Sequence, residues 1–224
     1  MLFVIEGLDG CGKATQTELF RQRLCETGAD PLSISFPNYD SDSSRLVTMY
    51  LNGEISDNIS DVNAYAASSF YAADRYISFK KSWEKDYLND RCIIADRYTT
   101  ANQLYQATKQ PAGFRIAFAD WIADFEYNKL GLPRPDLVIM LRMPVAMSQK
   151  LMTERYHNDE TKKDLHEKSP DYLQHVYDVS SEIAEYYKWH IIECADENSN
   201  LYDRKTISDR IWAVYESFKE GKML

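Results

Sequence analysis

The chain has 224 residues, 44% of them apolar and 27% charged, with a formal net charge of −9. Those totals supply a full hydrophobic core and give no reason to divide the chain, so one domain over residues 1–224 is expected. The acidic balance argues against a broad nucleic-acid surface or an anionic membrane as partner, and no apolar run approaches the ~20 residues of a membrane helix.

In chain order, Leu2-Phe3-Val4-Ile5 reads as a buried strand. It leads straight into Gly7-Leu8-Asp9-Gly10-Cys11-Gly12-Lys13-Ala14-Thr15, ahead of a helical pattern over 13–27 that Gly28 ends. Further apolar runs at 32–36, 92–95, 137–141 and 190–194 alternate with helical sequence. A helix starts at 40–44 ahead of Leu46, Met49 and Tyr50, and a long helical stretch covers 61–88. Another helix follows Asp96-Arg97-Tyr98, and an amphipathic one covers 113–130, with Phe114, Ala117, Trp121 and Phe125 as its expected buried stripe. Helices at 144–156, 171–187 and 204–219 complete the pattern, which predicts an open parallel sheet of about five strands covered by helices on both faces. Residues 154–171 hold ten charged side chains and no glycine, and read as a mobile flap outside the core.

Cys11, Cys25, Cys92 and Cys194 are scattered, without the spacing of a metal site or a disulfide framework. They read as reduced thiols, and no secretory signal pattern is present at the N-terminus, so a cytoplasmic protein is expected.

The glycine-rich stretch carries the chemistry. Two glycines, Gly7 and Gly12, followed at once by Lys13 let backbone N–H groups curl around a phosphate while the lysine reaches the outer phosphates. The positive end of the following helix dipole points at the same anion. A Ser or Thr usually follows this lysine and binds Mg²⁺; here Ala14 stands there, with Thr15 one further on. A nucleoside triphosphate is the expected ligand.

Glu6-Gly7-Leu8-Asp9-Gly10-Cys11-Gly12-Lys13, Phe36-Pro37, the Tyr71 to Arg75 segment, Asp96-Arg97-Tyr98 and Tyr105-Gln106, in that order and at suitable separations, resemble the thymidylate kinase family over most of the chain. The resemblance implies a three-layer P-loop nucleoside monophosphate kinase fold, a homodimer, and transfer of the γ-phosphoryl group of ATP to dTMP, giving ADP and dTDP. It implies that residues 7–15 bind ATP and that Mg²⁺ is held by Asp96 and Thr15, with Asp164 as a further candidate.

The acceptor in such a reaction is a phosphate monoester with a second pKa of about 6, already mostly dianionic at neutral pH, so it needs cancellation of charge more than a general base. By the resemblance, Lys13 holds the donor, Arg97 clamps the acceptor phosphate, and Arg155 in the flap reaches the transferring phosphoryl group. Asp9, Phe36 and Tyr39 border the acceptor, Tyr71 is the platform under thymine, and Arg75 donates to its exocyclic oxygen. Asn102 reads the pyrimidine edge, and Tyr105 lies where a ribose 2′-hydroxyl would otherwise sit. Asn38 stands where many relatives have a phosphate-binding arginine. His166, a single histidine close to lysines, reads as a surface residue.

Two other functions are weighed. A deoxynucleoside kinase acting on thymidine needs a carboxylate base, for which Glu6 or Asp9 is available. A GTP-dependent switch protein needs a guanine-reading Asn-Lys-x-Asp, and the nearest stretch, Asn128-Lys129-Leu130-Gly131, lacks the acid.

Overall fold

The computed structural model describes residues 1–221. Among these, the apolar runs form β1 (Leu2–Gly7), β2 (Leu32–Ser35), β3 (Ile93–Asp96), β4 (Leu137–Arg142) and β5 (His190–Glu193). All neighbours pair in parallel, in the order β2-β3-β1-β4-β5. The chain thus turns about β1, laying β2 and β3 to one side and β4 and β5 to the other. In an open parallel sheet this is where a ligand crevice opens, at the carboxyl ends of the strands.

The helices are α1 (Lys13–Glu26), α2 (Arg45–Leu51), α3 (Ala64–Ser78), α4 (Glu84–Leu88), α5 (Thr99–Tyr105), α6 (Arg115–Ala123), α7 (Val145–Arg155), α8 (Pro170–Tyr186) and α9 (Arg204–Lys219). Because side chains alternate along a strand, β1 feeds both faces of the sheet. Phe3 and Ile5 pack with Phe20 and Leu24 of α1 and Ile207, Ile211 and Tyr215 of α9. Leu2 and Val4 face the opposite way, toward Phe79, Trp83 and Tyr98. Leu104, Phe118, Ile122, Met140, Val176 and Ile183 extend that second side through α5, α6 and α8. Central strands apolar on both faces and helices on both sides give the three layers expected from the sequence.

Three local readings change. The 61–88 stretch begins at Ala64, because the Asn63 side chain accepts a hydrogen bond from Ala66 N–H and caps the helix there. A π turn, Phe79–Trp83, joins α3 to α4 and seats Phe79 and Trp83 in the core.

The 113–130 helix has the right period and the wrong phase. α6 buries Phe118, Ala119, Ile122 and Ala123, and the π turn Asp124–Lys129 adds Glu126 to that face. Phe114 and Ala117 are exposed, while Trp121 and Phe125 are half-buried. Apolar residues surround most of this helix, so periodicity alone did not select the inward side.

The charged segment 154–171 is packed down, in contrast to a solvated flap. Leu165 N–H donates to Leu51 O at 2.9 Å, tying the segment to α2, and Lys163, His166 and Glu167 are buried. Asp164 and Glu167 exchange side-chain to backbone hydrogen bonds of 2.9 and 3.1 Å, so these acids are satisfied locally.

Candidate active site

The loop after β1 is shaped by its glycines. Gly10 has φ +78°, and a Cβ there would sit 2.4 Å from the Ser148 carbonyl oxygen of α7. Gly7 lies so close to β4 that a Cβ would approach Leu141 O to 2.5 Å. Backbone amides therefore occupy space that side chains would fill. Lys13 is buried and its Nζ donates to Leu8 O at 2.7 Å, holding the ammonium inside the loop. Residues Asp9 to Thr15 line a cleft of about 1020 Å³. Gly7 and Leu8, two of the predicted ATP contacts, lie behind its surface, and Leu8 contributes its carbonyl to Lys13.

Parallel pairing sets Ile5 of β1 and Ser35 of β2 level with Asp96 at the end of β3. Arg97 follows at once with φ +66°, a left-handed conformation that costs a non-glycine residue about 1–3 kcal/mol and concentrates at functional sites. One Nη of Arg97 donates to Asp9, and the other lies 3.5 Å from Glu6. Its guanidinium carbon is 5.1 Å from the centre of the Tyr105 ring. The Tyr105 hydroxyl donates to Asp9 Oδ2 at 2.9 Å and accepts from Asp9 N–H at 3.1 Å.

The two acids answer this field differently. Burial would raise both, but at Asp9 the charges of Arg97 and Lys13 and the Tyr105 hydroxyl outweigh it, and the carboxyl is held well below the usual range. At Glu6 burial prevails and the pKa is raised, although Thr100 Oγ1 and Gly7 N–H both donate to it, at 2.6 and 3.0 Å.

A narrower pocket shares Asp9, Phe36, Tyr39, Arg97 and Asp164 with the cleft and continues to Tyr71, Arg75, Asn102 and Tyr105. The predicted acceptor residues are therefore brought together. Phe36, at a cis bond to Pro37, is buried, whereas Tyr39 is largely exposed. The loop behind them is held by Asp74, which accepts from Asn38 N–H at 2.9 Å and from Ser43 Oγ.

Arg75 differs from a free donor. Its Nε and Nη2 each bond Glu126 at 2.6 Å with both side chains fully buried, leaving Nη1 as the group without a hydrogen bond to a described residue. Glu126 also accepts from Thr99 Oγ1 at 2.9 Å and from Asn102 Nδ2 at 3.0 Å, so it orients two predicted thymine-reading side chains together. Sequence reasoning missed Glu126. Its signal was a glutamate continuing the 119, 122, 123 spacing of the buried face.

His166 is a correction. It is buried, bonded through Nε2 to the Tyr50 hydroxyl at 2.9 Å, and burial, helped by the Lys109 and Arg97 charges, lowers its pKa to about 3. Tyr50, Lys109 and Tyr172 surround it, and none of them was expected at the site from the sequence, where Tyr50 read only as a helix core position.

On the cleft side, Asp96, Thr15, Arg155, Lys162 and Asp164 all line the wall. The Asp96 carboxylate carries no hydrogen bond from a described residue. Arg155 is half-exposed and bonds Glu167 at 2.9 Å. Asp164 is pushed up to about 7, first by burial and then by the charges of Asp9 and Glu167. Among the described residues no group of three or more His, Cys, Asp or Glu has the arrangement of a metal cage, and no helix is long and apolar enough to cross a membrane.

Comparison with known proteins fits this geometry. A family model described as thymidylate kinase matches residues 5–204. The thymidylate kinase of Mycobacterium tuberculosis is 28% identical over 191 residues, covering 82% of this chain and 86% of that protein. The human thymidylate kinase is 28% identical over 160 residues, covering 70% of this chain and 69% of its own length. The solved structure of thymidylate kinase from Candida albicans superposes with a TM-score of 0.71 at 20% identity, covering 97% of this chain and 92% of that one, and shares the fold. A five-stranded parallel sheet, a phosphate loop and an arginine-walled pocket beside it thus coincide with a family match over most of the sequence: the chain belongs to the thymidylate kinase family, whose reaction moves the γ-phosphoryl group of ATP onto dTMP.

Proposed function

We propose that the cleft over Asp9 to Thr15 takes the ATP phosphates, that the narrower pocket takes dTMP, and that Arg97 stands between the two. The carrying observation is that Arg97 lines both cavities while Asp9 and Tyr105 fix its guanidinium. Lys13 and the loop amides would hold the donor, and Arg97 would bind the acceptor phosphate in line with it. Thymine would lie against Tyr71, with Arg75 Nη1 and Asn102 at its polar edge and Tyr105 beside the sugar. Arg155, which lines the cleft, would exchange Glu167 for the transferring phosphoryl group.

The donor set fits Mg²⁺, which takes one or two carboxylates and completes its shell with phosphate oxygens and water. Asp96 and Thr15 line the cleft, Thr15 offers a hydroxyl that Ala14 lacks, and Asp164 of the 154–171 segment lines the same wall. When bound, the ion would neutralise charge on the phosphates.

Thymidine is disfavoured as the acceptor because neither carboxylate is a fitting base. Glu6 lines neither cavity and both its oxygens are engaged, while Asp9 is held far below the pKa that proton abstraction requires. Offering thymidine and dTMP separately with ATP tests the assignment; phosphorylation of thymidine alone would overturn it.

The outward face of α6 supports a homodimer. Phe114 is 65% and Tyr65 49% exposed, and Tyr65 packs edge-on against Trp121, which stacks on Phe125, with centroids 4.6 and 5.3 Å apart. A contiguous aromatic patch of this kind marks an association surface. The four unpaired cysteines agree with a reducing, cytoplasmic setting.

A further inference from the structure

His166 belongs to the charged 154–171 segment, yet it is buried against the acceptor pocket and makes three contacts there. Lys109 Nζ donates to the Tyr50 hydroxyl at 2.9 Å, and the same hydroxyl shares a hydrogen bond of 2.9 Å with His166 Nε2. The imidazole lies nearly parallel to the Tyr105 ring, at 13° with centroids 5.7 Å apart. Tyr172 touches both rings, and its hydroxyl donates to Tyr105 O at 2.7 Å.

From this arrangement we propose that His166 is a positioning residue for sugar selectivity: the packed 154–171 segment lays its imidazole parallel to Tyr105 and helps hold that ring where a ribose 2′-hydroxyl would have to go. The inference rests on the reading of Tyr105 as the wall beside the sugar. Tyr105 is fixed at its hydroxyl by Asp9 and at its backbone by Tyr172, the Arg97 guanidinium lies 5.1 Å from its ring centre, and His166 adds a parallel ring as a further restraint on the ring plane. Removing it leaves space into which Tyr105 can swing, and a site that excludes a hydroxyl by a rigid wall loses selectivity when the wall yields.

The test is kcat/KM for dTMP and for 5-methyluridine monophosphate, its ribose counterpart, in the full chain and in His166→Ala, His166→Phe and Tyr50→Phe. The unaltered chain is expected to favour dTMP by about 100-fold, and His166→Ala to cut that ratio by about tenfold. His166→Phe keeps a planar ring against Tyr105 and is expected to restore most of the ratio. Tyr50→Phe, which keeps the core filled while freeing the imidazole, is expected to lower it by about threefold. A general loss of folding or activity lowers both rates and leaves the ratio alone. An unchanged ratio in Tyr50→Phe, together with an unchanged ratio or no folded protein for His166→Ala, overturns the proposal. Equal use of both nucleotides by the unaltered chain overturns the reading of Tyr105 itself.

Discussion

Arg75 and Glu126, 51 residues apart, meet through two hydrogen bonds of 2.6 Å with neither side chain reaching solvent. A pair this deep contributes little relative to apolar packing, but breaking it strands a charge. Glu126→Ala is expected to cost about 3–5 kcal/mol in chemical denaturation and to raise KM for dTMP, because Arg75 and Asn102 lose their shared acceptor. Glu126→Gln, which keeps the shape, should cost less. Equal denaturation midpoints for Glu126→Ala and the unaltered chain would contradict this account.

Arg97→Ala removes charge-assisted bonds to the acceptor phosphate worth about 1.5–3 kcal/mol each, so kcat/KM should fall by roughly tenfold or more. Lysine should not restore it, since a point charge cannot reproduce two parallel bonds and carries no planar group to lie over Tyr105. Steady-state kinetics on folded variants decides the matter.

Tyr105 and the thymine platform predict different penalties for different changes of substrate. The missing methyl of dUMP costs only about 1–3 kcal/mol, so dUMP should remain a poor but measurable acceptor. UMP must also fit a hydroxyl against the Tyr105 wall and should be rejected. Similar turnover of the two would remove Tyr105 from this role.

Asp164 gives a pH signature. Its carboxyl titrates near 7 in the folded protein against 3.8 for a free aspartate, so between those values the folded chain keeps a proton that the unfolded chain has released. Stability therefore declines as pH rises through that window, and Asp164→Asn should melt higher than the unaltered chain at pH 8 and equally at pH 4. Melting curves at the two pH values read this directly. His166 acts with the opposite sign: lowered to about 3, it favours the folded chain above its unfolded value of 6.5 and loses that contribution as pH falls toward 3.

Phe114→Glu places a charge in the outward aromatic patch at a side chain that is 65% exposed and outside the α6 core face. Sedimentation should show a shift from dimer to monomer, with secondary structure unchanged by circular dichroism. A dimer that persists would assign the interface to another surface.

Some of this was legible in sequence because it is local. Gly7 to Thr15 form one strand-to-helix turn, so spacing alone predicts a phosphate cradle, and Asp96-Arg97-Tyr98 lies at a strand end, where ligands gather in a parallel sheet. What the sequence left open depends on partners brought from a distance. The phase of α6 turned on which side of a nearly all-apolar helix met the sheet, and the role of Arg75 turned on Glu126 approaching from another helix.

The charged segment makes the same point most sharply. Its composition reads as solvated, yet Asp164 and Glu167 satisfy each other's backbone and His166 finds Tyr50 and Tyr105. Sequence by itself determined the parallel sheet with its helices and the place of the glycine loop and the strand-end arginine within it, since each of those motifs carries its own backbone geometry. Only tertiary structure decided which polar groups are buried together, because the cost of burying a charge or a ring nitrogen is set by neighbours that no local pattern encodes.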